Sequence, residues 1–222
     1  MKLALFDLDG TLLPGDSDHA FGEYLVRLGW ADAGEFARHN DRFYVDYQAG
    51  RLDIHDYIDF ITEPWRARPL HEAEAASRSF IDDIVRPMLR PAATALIERH
   101  RTAGDRLAIV TATNDFVTRP IAELLGVADL IATELERDSA GRATGAIRGV
   151  PSFREGKVAR VHSWLAAQGA TLAGCERSVF YSDSTNDLPL LECVSDPVAT
   201  NPAPALERLA RQRGWPVLRL FE

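Results

Sequence analysis

The chain has 222 residues, 46% hydrophobic and 26% charged, enough apolar material for a sizeable core and unlike a disordered segment. A formal charge of −8 argues against a protein whose main work is gripping nucleic acid or an anionic membrane, since both need a basic face. The 25 basic residues divide into 23 arginines and 2 lysines, Lys2 and Lys157, so a lysine here is an exception to a strong habit.

KLALFDLD opens the chain as a short apolar run ending in acid, the pattern of a strand buried on both faces of a parallel sheet. Side chains alternate along a strand, so Asp7 and Asp9 point to one side of its end, and Gly10-Thr11 lets the chain turn away. A solvated strand end with an Asx-type turn is the plainer reading of the same string. Residues 15–88 then change period. Phe21, Tyr24, Leu25 and Leu28 share one helical stripe, Ile54, Tyr57, Ile58 and Ile61 a second, and Phe80, Ile81, Ile84 and Val85 a third, with a less regular helix around Phe36 to Tyr47. Eleven of the 19 aromatic residues fall in this stretch, which predicts an inserted helical domain at 15–88 between core segments 1–14 and 89–222.

From residue 90 strands and helices alternate. Helices are predicted at 90–103, 114–126 (opened by the capping pair Asn114-Asp115 and closed by Gly126), 154–168 and 203–213. Strands are predicted at 106–112, 129–134, 178–183, 197–201 and 216–221, with a hairpin at 134–150 around Asp138-Ser139-Ala140-Gly141. This is the signature of an α/β, doubly wound, Rossmann-like parallel sheet, in which ligands sit at the carboxyl ends of strands. Three such ends carry chemistry. The first offers Asp7 and Asp9. The second ends at Thr111, a hydroxyl beside a helix start that suits phosphate oxygens or simply a helix cap. The third, YSDSTND, offers Asp183 and Asp187, which also suit helix capping, and Asn186 as a further donor or cap. Lys157 in FREGKVARV is a solvated surface cation or, in a chain that otherwise writes arginine, a compact ammonium required by a crowded phosphate site.

FDLDGTLL, a strand ending in Thr111, Lys157 and SDSTND, in that order, resemble the haloacid dehalogenase superfamily of phosphohydrolases over essentially the whole chain. The helical insert resembles the type-1 cap of its phosphoserine phosphatase-like branch. The resemblance implies a Mg²⁺-dependent phosphomonoesterase in which Asp7 attacks phosphorus to form an aspartyl-phosphate and Asp9 serves as acid and then base. It further implies that Asp7, the main-chain carbonyl of Asp9, and Asp183 hold the metal, that Asp187 orients a metal-bound water, and that Thr111, Lys157 and Asn186 hold the phosphoryl oxygens. A cap that opens and closes implies hinges near Pro14-Gly15 and 86–90.

Asp16 stands nine residues after Asp7, where that branch places an acid against the substrate's amino group; an N-cap is its other reading. Residues 15–88 hold fifteen acids against eight arginines, −7 of the chain's −8. The branch's carboxylate-binding arginine aligns with Ile61, although Arg66 or Arg68 stands near in sequence. An amino-alcohol phosphate such as histidinol phosphate therefore fits better than phosphoserine, which stays as the alternative beside a phosphotransferase or mutase; a non-catalytic binding protein is disfavoured by the complete acid set. His19, Tyr44, Tyr47 and Tyr57 are the cap residues to examine. Cys175 and Cys193 form no metal or disulfide pattern, and no apolar run is long enough to span a membrane. Together with acid as early as Asp7, this predicts a cytoplasmic enzyme for a small phosphate ester, with no nucleic-acid or membrane partner.

Overall fold

The computed structural model describes residues 1–221. Its core is a six-stranded, all-parallel sheet in the order β3-β2-β1-β6-β7-β8, with β1 (Lys2–Phe6), β2 (Arg106–Asn114), β3 (Asp129–Thr133), β6 (Arg177–Ser182), β7 (Asp196–Thr200) and β8 (Val217–Leu218). A short antiparallel pair, β4 (Leu135–Arg137) and β5 (Ala143–Ile147), forms the predicted hairpin. The strand order reverses direction at β1, which makes the β1 carboxyl end the switch point of a doubly wound sheet.

The period-2 alternation of β1 feeds two separate cores. Leu3 and Leu5 pack on one face with Ala108, Val110 and Phe180, while Ala4 and Phe6 pack on the other with Ile109, Val179 and Tyr181. Helix α8 (Glu155–Ala166) covers the Leu3/Leu5 face through Val161 and Leu165. Lys157, Val161 and Leu165 are spaced by four and all buried, so the stripe that seats α8 on the sheet carries Lys157 inward at its first turn. Remaining core helices are α6 (Pro91–Thr102), α7 (Asp115–Leu124), α9 (Leu188–Leu191) and α10 (Pro204–Arg213).

Between β1 and α6 lie four helices, α1 (Ser17–Arg27), α2 (Glu35–Gln48), α3 (Ile54–Arg66) and α4 (Leu70–Phe80), the last running on through a π-turn at Ile81–Val85 into α5 (Arg86–Met88). Most of the predicted stripes are buried: Phe21, Tyr24, Leu25, Ile58, Ile61, Phe80, Ile81 and Val85 join the Ala4/Phe6 core, Tyr57 and Ile84 pack against it, and Leu28, which follows the last residue of α1, is exposed. Aromatic pairs carry this packing, with Trp65 stacked on Phe116 at 4.1 Å between ring centres and Phe36 on Phe60 at 4.5 Å.

Three boundaries differ from the sequence expectation. β1 stops at Phe6 rather than running to Asp9, so Asp7 and Asp9 stand in the segment that follows it, where Asp9 makes an isolated bridge to Leu13. β2 does not stop near Thr111 but runs to Asn114, with its register against β3 shifted between Val110 and Asn114; the Thr-Ala-Thr string keeps strand alternation until Asn114 caps α7. The last strand shrinks to Val217–Leu218, since only β7 pairs with it.

Candidate active site

Four segments meet at the switch point. Asp7 continues the Leu3/Leu5 face of β1 and so projects toward α8, where Lys157 Nζ donates to Asp7 Oδ1 at 2.8 Å and to Asp187 at 2.7 Å. Asp187 closes the turn after β6 and also accepts from Ser182 Oγ at 2.7 Å. Lys157 is 1% exposed, so the reading as a surface cation is excluded. Burial works against its charge, but Asp187 and Asp7 outweigh burial and hold the ammonium's pKa above the usual lysine range.

The other oxygen of Asp7 accepts from Thr11 Oγ1 at 3.2 Å, and the same hydroxyl lies 3.4 Å from Asp183 Oδ1, so one side chain spans both carboxylates. Gly10, at φ +74°, is what lets Asp183 approach: a Cβ there would sit 2.3 Å from Asp183 Oδ2. Asp9 has its own donors, accepting from Ser17 N at 2.7 Å and Thr113 Oγ1 at 2.9 Å. Burial, then repulsion from Asp16 and Asp7, pushes Asp9 up to about 8. Asp7 rises to about 6, chiefly by burial and against the pull of Lys157. Burial followed by Asp7 and Asp187 drives Asp183 well above the carboxylate range.

The site opens into a pocket lined by Asp7, Asp9, Thr111 and Thr113 from the core and by Asp16, His19, Tyr44, Tyr47 and Tyr57 from the helical insert. Asp16 caps α1 by accepting from His19 N at 2.8 Å and also lines the pocket, so the cap does not take it out of the site. Thr111 is buried in the lining. Asn186 is met by the insert instead: its Nδ2 donates to Tyr47 O at 3.0 Å, and Arg154 donates to Gly50 O. Neither nearby arginine reaches the pocket. Arg66 pairs with Asp59 at 2.6 Å and bonds Thr144 O, Arg68 lies over the Trp30 ring, and Ile61 is buried in the core. Among the described residues no arginine or lysine lines the pocket.

Thr11, Thr113 and Ser182, each hydrogen-bonded to a site carboxylate, escaped the sequence reading. Thr113 had a signal, since it lies two residues beyond Thr111 on one strand and therefore on the same face; single hydroxyls at 11 and 182 had none.

Whether the residues suit Mg²⁺ is a matter of donor chemistry. Asp7 and Asp183 present only oxygen, sit close enough to share one hydroxyl, and are pushed up by burial and by neighbouring carboxylates, Asp187 on Asp7 and both Asp7 and Asp187 on Asp183, which a cation would relieve. Among the described residues no three His, Cys, Asp or Glu side chains form a closed cage. That suits Mg²⁺, which takes one or two carboxylates and keeps waters and substrate oxygens for the rest.

Known proteins resemble the chain in sequence and fold. The chain is 44% identical over 217 residues, 98% of each chain, to a histidinol-phosphatase of Neisseria meningitidis. It is 48% identical to a Bordetella pertussis protein of unknown function, with a TM-score of 0.93 and 99% of both chains covered. A substrate-bound phosphoserine phosphatase shares the fold at 18% identity, with a TM-score of 0.69 over 98% of this chain and 92% of that one. Residues 4–192 match the haloacid dehalogenase-like hydrolase family, and the chain belongs to that family as a phosphatase.

Proposed function

We propose that the chain is a Mg²⁺-dependent phosphomonoesterase for a small amine-bearing phosphate, with histidinol phosphate as its leading substrate. The observation that carries this is one site in which a buried Asp7–Lys157–Asp187 cluster opens into an acid-lined pocket without a cation. Phosphoserine would bring a carboxylate into that lining with nothing to pair it, a costly burial. The printed name of the Neisseria meningitidis relative points the same way.

Asp7 attacks phosphorus, forming a bond to one carboxylate oxygen as the bond to the leaving oxygen breaks; the proton that oxygen needs comes from Asp9. A pKa of about 8 keeps Asp9 protonated at neutral pH, as a general acid must be, and its bonds from Ser17 N and Thr113 Oγ1 hold it in place. The deprotonated Asp9 then takes a proton from water as that water displaces Asp7 from phosphorus, releasing inorganic phosphate. Lys157 Nζ, fixed by two carboxylates, and Thr111 hold the phosphoryl oxygens. Held by the Asp7 and Asp183 carboxylates and the Asp9 carbonyl, Mg²⁺ would neutralise phosphoryl charge. Residues 15–88 act as a cap that excludes water while closed.

Phosphate release from a panel of histidinol phosphate, phosphoserine, ethanolamine phosphate and sugar phosphates tests this. Histidinol phosphate is expected to give the highest kcat/KM with Mg²⁺ and without any added acceptor, and Asp7→Asn to lose at least ~10³-fold while staying folded. Fastest turnover of phosphoserine or a sugar phosphate would overturn the substrate assignment, and phosphate release only with an acceptor would make the enzyme a transferase.

A further inference from the structure

Two acceptors in the pocket lining have nothing to accept from. Asp18, in the first turn of α1, is 2% exposed; its Oδ1 accepts from Asn114 Nδ2 at 3.0 Å, and its Oδ2 has no partner. Asn40, on α2, is equally buried. Its Nδ2 donates to His19 O at 3.0 Å, which fixes the orientation of the amide and leaves Oδ1 bare. Both side chains line the pocket that holds Asp7, Asp9 and Asp16.

A buried acceptor without a donor is destabilising, more so when it is a carboxylate. Two such groups from different helices facing one pocket call for a ligand that brings N–H donors. Tyr57 also lines the pocket and its hydroxyl approaches the Asp18 carboxyl, without reaching hydrogen-bond geometry on Oδ2. The walls suit a flat cationic ring: Phe43, Tyr44 and Tyr57 line the same space, and the Tyr44 ring lies 5.1 Å from that of His19.

We propose that Asp18 and Asn40 form the subsite for an imidazolium group at the end of the substrate remote from phosphate, its ring N–H groups donating to Asp18 Oδ2 and Asn40 Oδ1. The subsite is separate from the amine contact at Asp16 and rests on the amine-bearing phosphate reading above. It explains how a pocket already holding an acid for an amine could prefer a substrate that carries a second nitrogen group. Burial, with Asp16 and Asp9 nearby, holds the Asp18 carboxyl well above its usual range, and a cation arriving beside it favours the charged form.

Calorimetric binding of histidinol and of alaninol, which has the amino alcohol but no imidazole, tests the subsite on the whole protein. Asp18→Asn keeps an oxygen for Asn114 and replaces the bare acceptor by an NH₂ donor. It is expected to weaken histidinol at least ~10-fold, as loss of a hydrogen bond to a charged group does, and to leave alaninol within about twofold. KM for histidinol phosphate should rise in parallel while kcat holds. Asn40→Ala, from a different helix, carries the same readout if Asp18→Asn does not fold. Equal weakening of both ligands, no weakening of histidinol, or a wild type that binds histidinol no tighter than alaninol overturns the subsite. Wild type that binds histidinol through Asp18 yet hydrolyses no amine-bearing phosphate overturns the reaction reading and leaves the subsite standing.

Discussion

Lys157 is held by two carboxylates at hydrogen-bonding distance and by the packing of the α8 stripe beneath it. A guanidinium keeps the charge but is broader and planar, so Lys157→Arg must displace Asp7 or Asp187 to fit. Overpacking of this kind costs about 1–3 kcal/mol of stability. Misplacing the proposed nucleophile and a proposed phosphoryl contact together costs more, because even one misplaced preorganised donor removes ~10²–10³ in rate. We expect Lys157→Arg to lower kcat by at least ~10³-fold with a modest fall in Tm, and near-normal turnover would remove Lys157 from the site. Gly10→Ala acts at the same scale: its Cβ would push Asp183 away and its φ of +74° is strained for alanine, so both Mg²⁺ affinity and kcat should drop, read by metal titration of activity. Asp7, Asp9, Lys157, Asp183 and Asp187 were legible because each is an unusual residue at a strand end or, for lysine, in an arginine-rich chain. Asp18 and Asn40 were not, since an Asp beside a helix start and an Asn on a helix have ordinary capping and surface explanations that only burial removes.

At the scale of elements, contacts near and beyond the pocket decide how the helical insert meets the core. Asn186 Nδ2 and the Arg154 guanidinium both reach main-chain carbonyls at the α2 end, on Tyr47 and Gly50. Arg66 of α3 bonds Thr144 O in the β4–β5 hairpin. The first two are part-buried bonds, the neutral amide bond worth about 0.5–1.5 kcal/mol and the guanidinium bond about 1.5–3 kcal/mol, so an opening motion can break the Asn186 bond at small cost. Asn186→Ala should therefore favour the open cap, raising KM several-fold with a smaller change in kcat; a loss confined to kcat would instead make Asn186 a phosphoryl contact. The parallel strands could be read as apolar runs, and the insert as stripes of period 3.6, because both are repeated patterns that survive single irregularities. The extension of β2 to Asn114 and the π-turn at Ile81–Val85 were not readable, for each depends on one residue's pairing with a distant segment. That π-turn adjoins the predicted hinge at 86–90, where α5 ends and the backbone becomes extended at Leu89.

For the molecule as a whole, folding gathers Asp7, Asp183 and Asp187 about the Lys157 ammonium and Asp9, Asp16 and Asp18 in the adjoining pocket, in a chain already at −8. Unfolded carboxylates titrate near 3.8, whereas in the folded chain Asp7 reaches about 6 and Asp9 about 8. Between those limits the native state binds more protons than the unfolded state, so stability falls as pH rises through this window and levels off above the folded values. In metal-free protein Tm should therefore decline from about pH 5 to about pH 8, by an amount corresponding to a few kcal/mol. Mg²⁺ competes with these protons, so at about a hundred times its Kd it should raise Tm by roughly 5–10 °C, and by more at pH 8 than at pH 5. Repulsion across the acidic chain would slope the same way, so the decisive comparison is Asp9→Asn, which removes one raised carboxylate and changes the net charge by a single unit. It should flatten the metal-free profile well beyond what one charge among many could do, as followed by thermal unfolding across pH; an unchanged slope would assign the effect to the chain's overall charge and leave the site without a measurable electrostatic debt to its metal.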